Sequence, residues 1–343
     1  MSGTPRTPRS AALATAVGLG AGYLLDVTLG DPRRWHPVAG FGAAAGALER
    51  RWYAPTHAAG LRFAAVAVGL PVLVGVALTR ASRGRPALRG TLVAAATWTA
   101  LGGRTLRREA AAMAAALDAG DLPAARRRLS HLCGRDPAAL DPTELARATV
   151  ESVAENTSDA IVAPLLWGAV AGLPGVLGYR AANTLDAMVG HRSPRYARFG
   201  TAAARLDDAA NLAPSRLTAV LTAVAAPVVS GSPARTWRIW RRDRAEHPSP
   251  NAGQCEASMA GALGVRLGGR NVYLGRSEVR PLLGDGPRPG PDDARRAARL
   301  SGSVGVGAAL LAVGAAAGLG LLAESRSSRL AGRAQRRRVA RAR

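Results

Sequence analysis

The chain contains no lysine: all 46 of its basic residues are arginines. That absence excludes three kinds of chemistry. There is no P-loop lysine to reach nucleotide phosphates, no lysine to form a Schiff base with pyridoxal phosphate (PLP), and no lysine nucleophile. No PLP cofactor is therefore expected. Cysteine is nearly absent too. Cys133 and Cys255 stand far apart, in no CxxC or metal-ligand spacing, and read as ordinary small side chains. Aromatics make up only 4% of the chain, so its apolar runs are built from Ala, Gly, Leu and Val, which let membrane helices approach closely. Acidic residues number 23, leaving a formal net charge of +23. Such a balance first suggests nucleic acid. However, the arginines are scattered and end-loaded (Arg6 and Arg9, then Arg326 to Arg343), with no zinc-ligand or aromatic RNA-binding pattern beside them. Wholly arginine usage reads as codon bias rather than a phosphate patch, and no nucleic-acid partner is expected.

What the chain does have is apolar sequence, in runs at about 11–25, 61–79, 90–103, 160–178, 217–231 and 302–323. The runs 61–79 and 302–323 are close to the length that spans a bilayer. Arg80, Arg83, Arg85 and Arg89 follow the first of these, and that cluster and the arginine-rich C-terminus read as cytoplasmic by the positive-inside tendency. Residues 11–25 follow a basic N-terminus as a signal peptide would, but no small-x-small cleavage site follows, so they read as an uncleaved membrane segment. The run 160–178 carries Pro164 and Pro174, and 217–231 is short. Each reads as a broken, re-entrant or protein-buried helix.

Residues 104–158 read as soluble and helical, with Asp121 as an N-cap ahead of Pro123 and Thr143 opening a second helix. Residues 232–300 form another polar region, and no stretch alternates as a strand should. The expected fold is all-α: a multi-pass integral membrane helical bundle with polar helical segments at the cytoplasmic face. One domain over 1–323 carries a polar helical insert at 104–158 and a polar motif loop at 232–300. A basic disordered tail follows at 324–343.

Six of the 23 acidic residues (Glu151, Glu155, Asp159, Asp186, Asp207 and Asp208) fall between apolar runs in one window, 151–214. Carboxylates beside membrane-entering sequence are costly to keep, and their default reading is functional. Arg147, Glu151, Glu155 and Asp159 recur every four residues and share a helical face. That face suits Mg²⁺ held through carboxylates, or a solvated stripe with an Arg147–Glu151 pair. Arg180, Asn183 and Asp186 sit three apart, as do Arg205 and Asp208, while Asp207 and Asn211 sit four apart. Such sets either bind a ligand or satisfy one another. In GDPRRWHPVAG, Gly30, Pro32 and Pro37 enforce a turn. Its Arg33 and Arg34 suit anionic oxygens or lipid headgroups. In EHPSPNAG, two prolines and Asn251 to Gly253 fix a loop able to meet a phosphate or a carbonyl. No dinucleotide fingerprint, zinc pattern or Ser/His/Asp order stands out.

Together GDPRRWHPV, ESVAENTSDAIVAPLLW, YRAANTLDAMVG, RLDDAANLAPSRLTA and HPSPNAG…MAGALGVRLGG resemble the CobD/CbiB family, the adenosylcobinamide-phosphate synthases of cobalamin biosynthesis. The resemblance covers about residues 12–320. One departure is CGRDPAAL, where Pro137 stands in place of the family's usual threonine. The resemblance implies a multi-pass protein of the cell membrane, its active site facing the cytoplasm. It implies an enzyme that joins cobyric acid to aminopropanol, usually its phosphate, as an amide on the corrin's f propionate. This is carboxylate–amine ligation, with ATP as substrate and Mg²⁺ as activator. With no lysine, arginines and carboxylate-held Mg²⁺ must supply the positive charge that phosphoryl transfer needs.

Carried onto these motifs, Glu151, Asp159, Asp207 and Asp208 are metal candidates. Asp31, Arg33, Arg34, His36, Asn156, Arg180, Asn183, Arg205 and Ser249 are candidates for substrate and phosphate. Glu155, Asp186, His247 and Asn251 are catalytic candidates, with His247 or an acidic neighbour accepting the amine proton and Asn251 orienting a carbonyl. The implied partners are the corrinoid, the aminopropanol unit, the lipid bilayer and other cobalamin-biosynthesis enzymes. A transporter, which would show an inverted repeat not visible here, and a non-catalytic corrin-assembly scaffold are the competing readings. If every apolar run crossed the bilayer, the motif segments would alternate sides. Their convergence therefore requires that 160–178 and 217–231 do not both cross.

Overall fold

Proline and short polar side chains set where the helices begin. The computed structural model describes residues 8–32, 36–138, 140–191, 193–273 and 276–341. Its helices are α1 (Pro8–Leu29), α2 (Pro37–Trp52), α3 (His57–Ala81), α4 (Pro86–Ala100), α5 (Gly103–Asp118), α6 (Leu122–Leu129), α7 (Pro142–Thr157), α8 (Ala163–Leu185), α9 (Thr201–Ala225), α10 (Pro233–Asp243), α11 (Ala252–Leu263) and α12 (Pro291–Arg341). Proline opens α2, α4, α7 and α10, where its missing N–H has no helical partner to lose. Asp121 caps α6 as the sequence suggests. The cap of α7 lies two residues before the expected Thr143: Asp141 accepts from the Glu144 N–H at 2.7 Å, and Glu144 reaches back to the Asp141 N–H at 3.1 Å.

Among the described residues five helical stretches are long and apolar enough to cross a membrane: Arg9–Leu29, His57–Ala81, Pro142–Gly190, Thr201–Val229 and Pro291–Leu322. Their packing fixes which ends lie together. On α1 and α12, Tyr23 meets Gly305, Gly20 meets Val313 and Ala12 meets Gly320, so the two run antiparallel. On α1 and α4, Gly18 faces Val93 and Gly22 faces Thr97, so these run parallel. A Cβ on Gly22 would lie 2.6 Å from the Thr97 Cβ, which is why the two backbones can approach so closely.

The run 160–178 doubles back. Gly172 has φ 64° and ψ −142°, a conformation open essentially to glycine alone. Tyr179 donates a hydrogen bond to the Asp159 carbonyl at 3.2 Å, although twenty residues of straight helix would hold them about 30 Å apart. Both ends of the run thus lie on the same side of the molecule. The run is therefore a re-entrant hairpin.

Helix α9 also begins and ends on one face. Its start lies beside the start of α3, where Gly60 abuts the Phe199 carbonyl. Its far end gives the Val229 carbonyl to Arg296, near the start of α12. Helices α1, α3, α4 and α12 thus connect two faces. One face carries α2, α5 to α7, α10, α11 and the ends of both hairpin arms. The other carries the start of α1, the α3–α4 turn with Arg80, Arg83 and Arg85, and the distal part of α12.

The polar face has its own core, in which Leu106, Val150, Val229, Met259, Leu263, Leu267, Leu283 and Leu300 are buried together. Two features differ from expectation. Strands β1 (Leu267–Tyr273) and β2 (Arg276–Leu283) form an antiparallel hairpin within the polar motif loop. Gly268 and Gly269, at φ 84° and 102°, break the register there, and Pro281 interrupts the second strand, so no clean alternation marks it. Helix α12 continues to Arg341, so the expected disordered tail is helical. Its Ala- and Arg-rich composition favours that state.

Candidate functional site

A cavity of about 130 Å³ opens on the polar face where α7, α8, α9 and α11 meet. The end of α7 supplies Glu155, and the π-helical turn Ser158–Val162 that follows supplies Ser158 and Asp159. A second π-helical turn, Asp186–Gly190, supplies Asp186. Such turns, each one residue wider than α-helix, recur at functional sites. Helix α9 contributes Asp207, Asp208, Asn211 and Ser215. The HPSPNAG loop and α11 add Ser249, Asn251, Ala252 and Cys255. Five carboxylates from three separate motifs therefore face one small space.

The carboxylates are held by amides. Asp207 accepts from Asn183 at 3.3 Å and from Asn211 at 3.1 Å. Asn211 in turn accepts from the Tyr179 hydroxyl at 2.9 Å. Asn251 ties the loop to α9: its amide donates to the Asp208 carbonyl at 2.8 Å, and its oxygen accepts from Ser215 at 3.1 Å. Ser249 accepts from the Asn251 and Ala252 N–H groups, fixing the turn ahead of α11.

Of the expected site residues, Glu155, Asp159, Asp186, Asp207, Asp208, Ser249 and Asn251 line this cavity. Asn183 stands behind it and orients Asp207, while accepting from Arg180 at 3.3 Å. His36 caps α2, its Nδ1 accepting from the Val38 N–H at 3.2 Å. Burial lowers its pKa, as does the nearby Arg180 charge, while Asp31 opposes them. Asp31 and His36 thus lie near Arg180. Arg33 and Arg34 lie outside the described residues. Asn156 donates to the Ser152 carbonyl, and Arg205 is exposed on α9; neither lines the cavity.

Glu151 does not join the metal candidates at the cavity. Its carboxylate pairs with Arg135 at 2.5 Å and Arg147 at 3.2 Å, and accepts from the Gly268 N–H at 2.7 Å. The four-residue stripe therefore divides: Arg147 and Glu151 form a buried structural network, while Glu155 and Asp159 face the cavity. Spacing alone could not show this, because Arg135 and Gly268 come from other segments.

His247 also stands back from the cavity. Its Nδ1 accepts from the Ser249 N–H at 3.0 Å, and its Nε2 lies 3.7 Å from Glu256. Burial lowers its pKa first, and Arg280 acts in the same direction. Glu256, which sequence reading missed, is buried on α11, and burial with the nearby Glu151 and Glu155 charges pushes its pKa well above the ordinary value. A lone carboxylate in the small-residue run GQCEASMAGALG was the available signal. Burial pushes the Cys255 thiol well above its ordinary pKa, so it is no thiolate nucleophile.

Among the described residues no three His, Cys, Asp or Glu side chains are grouped closely enough to hold a metal by themselves. The cavity's all-carboxylate charge still suits a hard cation. Mg²⁺ is commonly held by one or two carboxylates together with water and substrate phosphates, and the carboxylates here meet that smaller requirement.

A family model described as CobD/Cbib protein matches residues 19–301. Relatives named "Cobalamin biosynthesis protein CobD" include one from Mycobacterium tuberculosis strain H37Rv, 55% identical over 87% of this chain and 95% of its own. Another, from Geobacter metallireducens, is 45% identical over 82% of this chain and 89% of its own. A third, from Rhodobacter capsulatus, is 44% identical over 85% and 92%. No solved structure matches the chain.

Proposed function

The chain belongs to the CobD/CbiB family of cobalamin biosynthesis, and from that premise we propose that it is an ATP-dependent carboxylate–amine ligase. In this reading it converts adenosylcobyric acid to adenosylcobinamide or its phosphate, by joining aminopropanol or its phosphate to the f propionate. The observation that carries the proposal is the convergence of Glu155, Asp159, Asp186, Asp207 and Asp208 on one cavity at the polar face. A transport path would instead place its charges along a route between the two faces.

The reaction balances as follows. A propionate oxygen takes the γ-phosphoryl group of ATP, releasing ADP. The amine nitrogen then attacks the acyl carbon, phosphate leaves with that oxygen, and the nitrogen loses a proton. Mg²⁺, held by one or two of Asp159, Asp186, Asp207 and Asp208, would neutralise phosphate charge. Glu155 accepts the proton that the neutral amine loses on attack, and Asp186 accepts a hydrogen bond from the amine N–H and holds it in place. Asn251, cross-linked to α9, orients the carbonyl. Arg180, near Asp31 and His36, meets the anionic end of a substrate.

Purified protein in nanodiscs, given ATP, Mg²⁺, cobyric acid and aminopropanol phosphate, should release ADP and the amide. Solute flux without amide would favour a transporter, and corrin binding without turnover a scaffold. We also place the cavity on the cytoplasmic side of the cell membrane, where ATP is found. The arginines of the α3–α4 turn then face outward, against the positive-inside tendency; the substrate's compartment and the charge rule assign opposite sides, and here the substrate decides.

A further inference from the structure

Helix α10 (Pro233–Asp243) has two unlike faces. Thr236, Ile239, Trp240 and Asp243 recur at helical spacing and are buried. Trp240 packs on Ala219 of α9 and Ala257 of α11. The opposite arc carries Ala234, Trp237, Arg238 and Arg241, all exposed. Trp237 is 43% exposed even though it meets Trp240 edge-on, with ring centres 4.8 Å apart. Arg242 is engaged by Asp243 and Asp285, whereas Arg238 and Arg241 make no ion pair among the described residues. Helix α9 delivers the chain to this surface. It exposes Val220, Val224 and Val228 at four-residue spacing within a stretch apolar enough to enter a membrane. Such a stripe faces acyl chains. One 3₁₀ turn, Ala226–Val229, and Ser230 in the left-handed region then carry the chain from the stripe into α10. A tryptophan beside arginines at the edge of a lipid-facing band suits the headgroup layer, where an indole is half wetted and a guanidinium pairs with phosphate.

We propose that α10 is an interfacial helix that seats the polar face on anionic phospholipid. Trp237 enters the headgroup layer, and Arg238 and Arg241 bind lipid phosphates. The consequence reaches the cavity. Helix α10 leads directly into the HPSPNAG loop, and the Trp240 Nε1 donates to the Gln254 side-chain oxygen on α11 at 2.9 Å. A Cβ on Gly253 would lie 2.4 Å from the Arg244 carbonyl, so the end of α10 and the start of α11 are in close contact. A helix held by lipid thereby steadies the loop that brings Ser249 and Asn251 to the cavity. The surface stands whether or not the protein is a ligase.

Tryptophan emission in nanodiscs tests the contact directly. The emission that Trp237→Phe removes from the wild-type spectrum should be largely quenched by lipids brominated near the headgroup. The same difference emission in brominated and ordinary lipids would overturn the proposal. Anionic lipid gives a second reading that needs no tryptophan variant. Adding phosphatidylglycerol to phosphatidylcholine nanodiscs should raise the wild-type melting temperature. That rise should shrink in about 1 M salt, where the Debye length is about 3 Å. No rise, or a rise untouched by salt, would overturn the proposal even if no variant assembled. Arg238→Gln combined with Arg241→Gln should lose about half of the rise or more, and a full rise in that double variant would place the lipid elsewhere. Inorganic phosphate added to phosphatidylcholine nanodiscs should give no rise. If phosphate alone reproduced it, α10 would be an anion site rather than a lipid surface, and the proposal would fall.

Discussion

At the scale of single residues, similar side chains in one motif have separate duties, and the predictions separate them. Glu151 is closed by Arg135, Arg147 and a backbone N–H. Glu151→Ala should cost about 3–5 kcal/mol of stability, since it strands two buried arginines; thermal unfolding in detergent reads this directly. Asp186→Asn, at the cavity, should instead leave the melting temperature near that of wild type while lowering amide formation about a hundredfold or more. Glu256 gives a pH signature. Folding raises its pKa, so between its ordinary value and the raised one the folded protein holds a proton that the unfolded chain has lost. Stability from this group is complete below the ordinary value and disappears as pH rises through the folded one. The wild type should therefore lose melting temperature with rising pH across that window, and Glu256→Gln should lose less. All five cavity carboxylates were legible in the sequence because they are costly where they stand. Glu256 was not, because it lies outside the dense window, alone in a run of small residues.

At the scale of elements, the re-entrant hairpin decides what the site can be. Gly172 reverses the run 160–178, and the π-helical turns at either end of the hairpin present Asp159 and Asp186 to the same space. Gly172→Ala should destabilise the protein by about 1–3 kcal/mol, because alanine meets a steric penalty at φ 64° that glycine does not. Unfolding temperatures of the variant and wild type check this. Helix starts were readable from proline and capping residues, and the broken character of this run from Pro164, Pro174 and its glycines. The β-hairpin was not readable, since its register break and its proline erase the alternation that marks a strand. The division of the Glu151–Glu155–Asp159 stripe was equally hidden: periodicity groups residues on a face without saying which distant segment covers each part of it.

At the scale of the whole molecule, four helices connect two faces, and every described motif segment that lines the cavity lies on one of them. Apolar run length alone would have counted the hairpin and α9 as crossings and scattered the motifs across both sides. In inside-out and right-side-out vesicles, a cysteine replacing Glu246 should react with an impermeant reagent only from the cytoplasmic side, and one replacing Gly84 only from the opposite side. Labelling of both from one side would contradict the two-faced arrangement. The central claim is that ATP activates a corrin carboxylate for attack by an amine. It is tested most directly with cobyric acid whose f carboxyl carries heavy oxygen, turned over by the protein in nanodiscs with ATP, Mg²⁺ and aminopropanol phosphate. The account predicts one labelled oxygen in the inorganic phosphate for each amide formed. Amide formed with unlabelled phosphate, or no amide at all, would contradict it.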